Sequence, residues 1–223
     1  MNKKITVLKK LDAVIGPLAI TLVKTLFNPG IKDYGPPSSF LFIRPGGIGD
    51  AVLLIPALKE LKKAFPKARI DLLCEKRNHE IFELCPEIDS IFLYDSLTGL
   101  TSAIGGRYDV VIDSEQWYRL SAVIAYLTRA PIRIGFSTND RRKLFSAALI
   151  YKEDEHEIYN FFRLISPLVP DLTFNEETAF ISIPSELSNR IKPHIIKASS
   201  KKLVAIFPGG SVPEKRWPPE RFR

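Results

Sequence analysis

Phe40-Leu41-Phe42-Ile43-Arg44-Pro45-Gly46-Gly47-Ile48-Gly49-Asp50 joins an apolar run to a glycine loop and then to an amphipathic stretch. Phe40–Ile43 predicts a buried strand, and the residues that follow predict a helix over roughly 50–64. Three glycines let the backbone bend sharply and let a ligand approach without a Cβ in the way. A loop that opens a helix also presents free N–H groups and the positive end of its dipole. A dinucleotide fingerprint would need a third glycine where Val52 stands, and the lysine of a Walker-type phosphate loop is missing too. A carboxylate at Asp50 would repel a pyrophosphate. Two roles remain for it: a cap on the helix, or a base acting on a hydroxyl.

Further along, the same alternation repeats. Ile70–Cys74, Ser90–Tyr94, Tyr108–Ile112 and Ile132–Gly135 predict strands, and helices are predicted around 118–128 and 155–167. Strand and helix in turn imply an α/β fold, a parallel sheet covered on both faces. Ligands of such sheets bind beyond the carboxyl ends of the strands. A further strand is predicted at Leu203–Phe207, running into Pro208-Gly209-Gly210-Ser211-Val212-Pro213-Glu214-Lys215-Arg216-Trp217-Pro218. There the charge is reversed. Lys215 and Arg216, with the N–H groups near Gly210 and Ser211, suit a phosphate, unless they form a plain solvated pair.

Toward the amino terminus, Leu8, Leu11, Ile15, Leu18, Leu22, Leu26 and Phe27 follow one helical face across residues 5–27, with Lys3, Lys4, Lys9, Lys10 and Lys24 around it. The uncharged run Ala13–Val23, interrupted by Gly16-Pro17, is shorter than the roughly 20 residues a spanning helix needs. Such a helix suits a membrane surface, or packs on its own domain or on a partner. Asn28-Pro29-Gly30 and Gly35–Ser39 read as a linker.

The net charge of +7 is unevenly placed: residues 1–33 carry +4 and residues 201–223 another +4, leaving the stretch between slightly acidic. A nucleic-acid binder carries its basic stripe across the folded domain, so that class is set aside. Cys74 and Cys85 form no paired motif and point to a reducing, cytoplasmic compartment. His79, His156 and His194 have no metal-ligand spacing.

The run from Phe42 through Asp50 to Leu54-Ile55-Pro56-Ala57-Leu58 resembles the opening motif of glycosyltransferase family nine, which includes the ADP-heptose:lipopolysaccharide heptosyltransferases. Tyr108–Asp113, Arg119-Leu120-Ser121-Ala122 and Ala130–Phe136 are similar to its middle block. Pro208–Ser211 with Lys215–Pro218 is similar to the opening of its second domain. The resemblance implies a GT-B fold of two Rossmann-like domains, and an inverting, metal-independent transfer without a cofactor. It implies that Asp50 is the catalytic base. Gly210, Ser211 and Lys215 would bind the donor phosphates, and Arg44, Gly46, Gly47 and Gly49 would form the acceptor-side loop.

The expected organisation is an amphipathic helix and linker over 1–39, an acceptor-side domain over 40–183, and over 184–223 a linker with the truncated start of a donor-binding domain. The expected partners are a nucleotide-diphosphate sugar, ADP-heptose foremost, a lipid-anchored anionic oligosaccharide, and the cytoplasmic face of an inner membrane. A non-catalytic, membrane-associated glycan-binding homologue is the alternative from another class.

Overall fold

The computed structural model describes residues 3–26, 35–170, 172–175, 180, 181, 183–198, 204, 206, 209 and 216–221. It divides into two compact units, Leu11–Ser182 and Met1–Lys10 with Ile183–Arg223. The predicted strand at Leu203–Phe207 falls mostly outside the described residues, as do Gly210, Ser211 and Lys215.

In the larger unit, six strands form one wholly parallel sheet: β1 (Ser39–Arg44), β2 (Arg69–Cys74), β3 (Ser90–Leu93), β4 (Val110–Asp113), β5 (Ile132–Phe136) and β6 (Ala147–Leu149). Their order is β3-β2-β1-β4-β5-β6, the doubly wound arrangement in which the strand order reverses between β1 and β4. Alternation along β1 shows how both faces are filled. Phe40 and Phe42 face one cluster with Leu54 and Leu58 of α2 (Ile48–Ala64) and Phe161 of α6 (Glu157–Ile165). Leu41 and Ile43 face the other, with Ala103 of α4 (Leu97–Gly105) and Ala125 of α5 (Arg119–Leu127). A short helix, α3 (His79–Phe82), adds Phe82 to the first cluster.

α1 (Lys3–Leu26) runs unbroken through Pro17, where the composition suggested an interruption. The carbonyl that loses its partner there belongs to Ala13, an exposed residue, so water can satisfy it. Ile20 and Val23 are buried with Ala122, Val123 and Tyr126 of α5. Gly16 lies so close to Arg119 that an added Cβ would sit 2.9 Å from that residue's Cβ. Asp12, 4% exposed, accepts the backbone N–H groups of Arg119 and Leu120 at 2.7 and 3.0 Å. These are unpaired first-turn donors of α5, whose own N-cap Tyr118 supplies no side-chain bond. The helix therefore packs on its own domain along one side. Val14, Ile15, Leu18, Leu22 and Leu26 remain exposed on the rest of its surface. No helix among the described residues is long and apolar enough to cross a membrane.

In the second unit, α7 (Ser185–Ala198) is described, together with a 3-10 turn at Pro219–Arg221 that brings the Arg221 guanidinium over the Trp217 ring.

Candidate active site at the carboxyl ends of β1 and β4

β1 ends on Arg44, a residue only 1% exposed. Its Nη1 donates to the Ser114 carbonyl at 2.7 Å, and its Nη2 donates to Asp50 Oδ2 at 2.6 Å. The Phe161 ring lies beneath the guanidinium, 5.4 Å away. The arginine is thus turned inward, joining the end of β1 to the loop after β4 and to the first turn of α2. Neighbouring loops hold that end in place. Asn78, after β2, donates to the Arg44 carbonyl, and Ser114 donates to the Ile43 carbonyl through both its N–H and its hydroxyl.

Between Arg44 and α2 the chain turns at Gly46 with φ +136°, a conformation open in practice to glycine alone. A side chain there would also crowd Arg44 Nη2, at 3.1 Å. Gly47 is the N-cap of α2 and makes no side-chain bond, and Asp50 stands in the first turn. Asp50 caps nothing: its hydrogen bond goes to Arg44, and among the described residues Oδ1 has no partner. Its side chain is 45% exposed. The result is a carboxylate fixed through one oxygen, with the other facing solvent, beside an open glycine turn and the dipole of a helix start.

The loop after β4 supplies a second acid. Glu115 is 4% exposed; its Oε1 accepts from the backbone N–H of Gln116, Trp117 and Tyr118. Burial pushes its carboxyl above the usual range, against the pull of the Arg44 guanidinium. Asp113, at the end of β4, is fully buried and committed to Arg141 at 2.8 Å. Beyond β6, Tyr151 donates to Glu157 at 2.9 Å, and Gln116 holds the other oxygen of that carboxylate. Burial, together with the Glu157 bond, lifts the Tyr151 hydroxyl to about 12, so it remains a donor at neutral pH. Trp117 packs edge-on against Tyr151, with ring centroids 6.0 Å apart.

The model of glycosyltransferase family 9 (heptosyltransferase) matches residues 98–223, more than half the chain. The chain belongs to glycosyltransferase family 9. Solved structures share its fold. The family 9 glycosyl transferase from Veillonella parvula DSM 2008 is 23% identical, with a TM-score of 0.65 over 86% of this chain and 58% of that one. E. coli heptosyltransferase WaaC with ADP-2-deoxy-2-fluoro heptose is 15% identical, with a TM-score of 0.59 over 82% and 62%. E. coli ADP-heptose lps heptosyltransferase II is 17% identical, with a TM-score of 0.59 over 81% and 57%. The chain therefore spans roughly three-fifths of these family 9 relatives. No curated protein sequence matches it.

Of the residues singled out from the sequence of this family 9 chain, Arg44, Gly46, Gly47, Gly49 and Asp50 stand together at one strand end, with Arg44 beneath the loop rather than on its surface. Gly210, Ser211 and Lys215 lie outside the described residues. Trp117, Tyr151 and Glu157 carry no local motif; the strand order brings their loops to the same edge.

Proposed function

We propose that this chain forms the acceptor side of an inverting, metal-independent glycosyltransferase. The enzyme moves heptose from ADP-heptose onto a lipopolysaccharide core or a related lipid-linked glycan. The observation that carries this is the carboxylate of Asp50, pinned through Oδ2 by Arg44 and open through Oδ1, at the reversal point of the sheet in a member of family 9. Support for the donor comes from relatives solved with ADP and with an ADP-heptose analogue.

In this reading the acceptor hydroxyl lies about 2.6–3.2 Å from Asp50 Oδ1 and gives up its proton there as its oxygen attacks the anomeric carbon. The new C–O bond forms on the face opposite the bond to the diphosphate. That bond breaks, its electron pair leaving with the nucleoside diphosphate. Gly210, Ser211 and Lys215 take the departing charge. Residues 40–183 form the acceptor-side domain, and 184–223 open the donor-binding domain. The exposed stripe Ile15, Leu18, Leu22 and Leu26, in a terminal segment of net charge +4, rests on an anionic membrane on its cytoplasmic face.

Replacing Asp50 with Asn tests the reading in the full-length enzyme. The amide oxygen can still accept from Arg44 but cannot take a proton. Turnover of ADP-heptose with deacylated lipopolysaccharide core oligosaccharide should fall by roughly 10²–10⁴-fold. The donor KM should stay within about twofold, because the donor phosphates are held by another loop. Near-normal turnover would show that Asp50 only neutralises Arg44, and Glu115 would become the candidate base.

A further inference from the structure

Three large apolar side chains stand exposed at the strand ends that carry the site. Ile48 opens α2 two residues before Asp50, Trp117 follows β4, and Ile150 follows β6. Single exposed apolar residues are ordinary on any surface. Trp117 differs in how firmly its loop is held. Its N–H donates to the buried Glu115 carboxylate at 3.0 Å. Its carbonyl accepts from Asn139 Nδ2 at 2.9 Å, and Asn139 itself has a positive φ of 47°. The indole stands nearly perpendicular to the ring of Tyr151, which is fixed by Glu157 and by the Phe136 ring 5.1 Å away. Half of the residue remains open to solvent. The backbone of Trp117 is thus anchored at two points and its ring is braced by Tyr151, while half of the residue stays open to solvent.

We propose that Trp117 is a stacking platform for a pyranose ring of the acceptor, and so a specificity-determining residue of the site; this rests on the glycosyltransferase reading above. The face of an indole carries negative charge density. The axial C–H bonds on one face of a sugar ring present weakly positive hydrogens, and their outward hydroxyls stay in water. A rigid aromatic binds such a face at little cost in conformational freedom. It leaves orientation to polar groups nearby, here the open oxygen of Asp50.

Two arms test this in the full-length enzyme. In the first, Trp117→Ala should raise the KM for deacylated lipopolysaccharide core oligosaccharide by about tenfold, with Trp117→Phe between it and the native enzyme. The donor KM should stay within about twofold in both, and the melting temperature should fall by only a few degrees in Trp117→Ala, which loses the Tyr151 ring contact. An unchanged oligosaccharide KM in Trp117→Ala overturns the platform. In the second, Trp217→Phe leaves Trp117 as the single tryptophan among residues 1–223, and any others beyond them are replaced likewise. Adding the oligosaccharide without donor should change its emission in a saturable way. A flat titration overturns the platform. A saturable change in an enzyme that transfers no sugar supports the platform and removes the glycosyltransferase reading alone.

Discussion

Arg44 is a buried cation with two tasks, and its substitutions separate them. It neutralises a low-dielectric strand end, and it fixes Asp50 through Oδ2 while spanning to the Ser114 carbonyl. A single ammonium cannot reproduce that planar fork. Arg44→Met should therefore lower stability by about 2 kcal/mol, because Ser114 and Asp50 lose a charged donor inside the fold. Arg44→Lys should recover part of that stability while kcat stays well below native, with both substrate KM values nearly unchanged. Urea midpoints and initial rates on the two variants check this. Equal recovery of stability and kcat by lysine would reduce Arg44 to a structural charge. The open oxygen of Asp50 is what a base needs, and the Arg44 contact that holds the other oxygen has room because Gly46 carries no Cβ, which would sit 3.1 Å from Nη2.

At the scale of elements, α1 and α5 are joined by a cap that no local pattern announces. Asp12 and the N–H groups it accepts are 107 and 108 residues apart. Asp12→Ala should cost roughly 2 kcal/mol, since two helix-start donors lose a charged acceptor. Gly16→Leu should separate the helices, because its Cβ would meet Arg119 near the backbone, where the side chain cannot swing away. Limited proteolysis in the first 26 residues reads both; unchanged protection in Gly16→Leu would refute the packing described for this pair.

The strands β1 to β5 and the helices α2, α5 and α6 were legible because each is a compact apolar run or a clear amphipathic stretch; the short helices α3 and α4 between them were not read. The loop from Arg44 to Asp50 was legible because its chemistry is contiguous. β6 was not: Ala147–Leu149 is three partly exposed residues after a charged 3-10 turn, Asn139–Leu144, and carries no period. Nor were Trp117 and Tyr151 as neighbours, since only the order β4-β5-β6 brings them together. The single apolar face read into α1 became two, one committed to α5 and one left outside.

For the whole molecule, the outward stripe of α1 makes a prediction independent of catalysis. Leu18→Glu with Leu22→Glu changes exposed positions and should spare the fold. Sedimentation with phosphatidylglycerol-containing vesicles should fall several-fold for this variant, and binding by the native chain should weaken as salt rises. Equal sedimentation of the two proteins would leave the stripe without a lipid role. A native dimer lost in the same variant would assign it to a second copy of the chain.

The grip of Asp12 on α5 has a consequence for what such an enzyme can reach. α5 begins where the loop bearing Glu115 and Trp117 ends, so in the proposed reading the helix that would rest on lipid is tied to the loop that would receive the sugar. A helix tied in this way would restrict how far that loop moves toward or away from a bilayer. The height of Asp50 above the lipid would then vary little. An acceptor with its target hydroxyl one sugar nearer its anchor, or one farther, would pass below or above the carboxylate. The protein would count sugars by standing still.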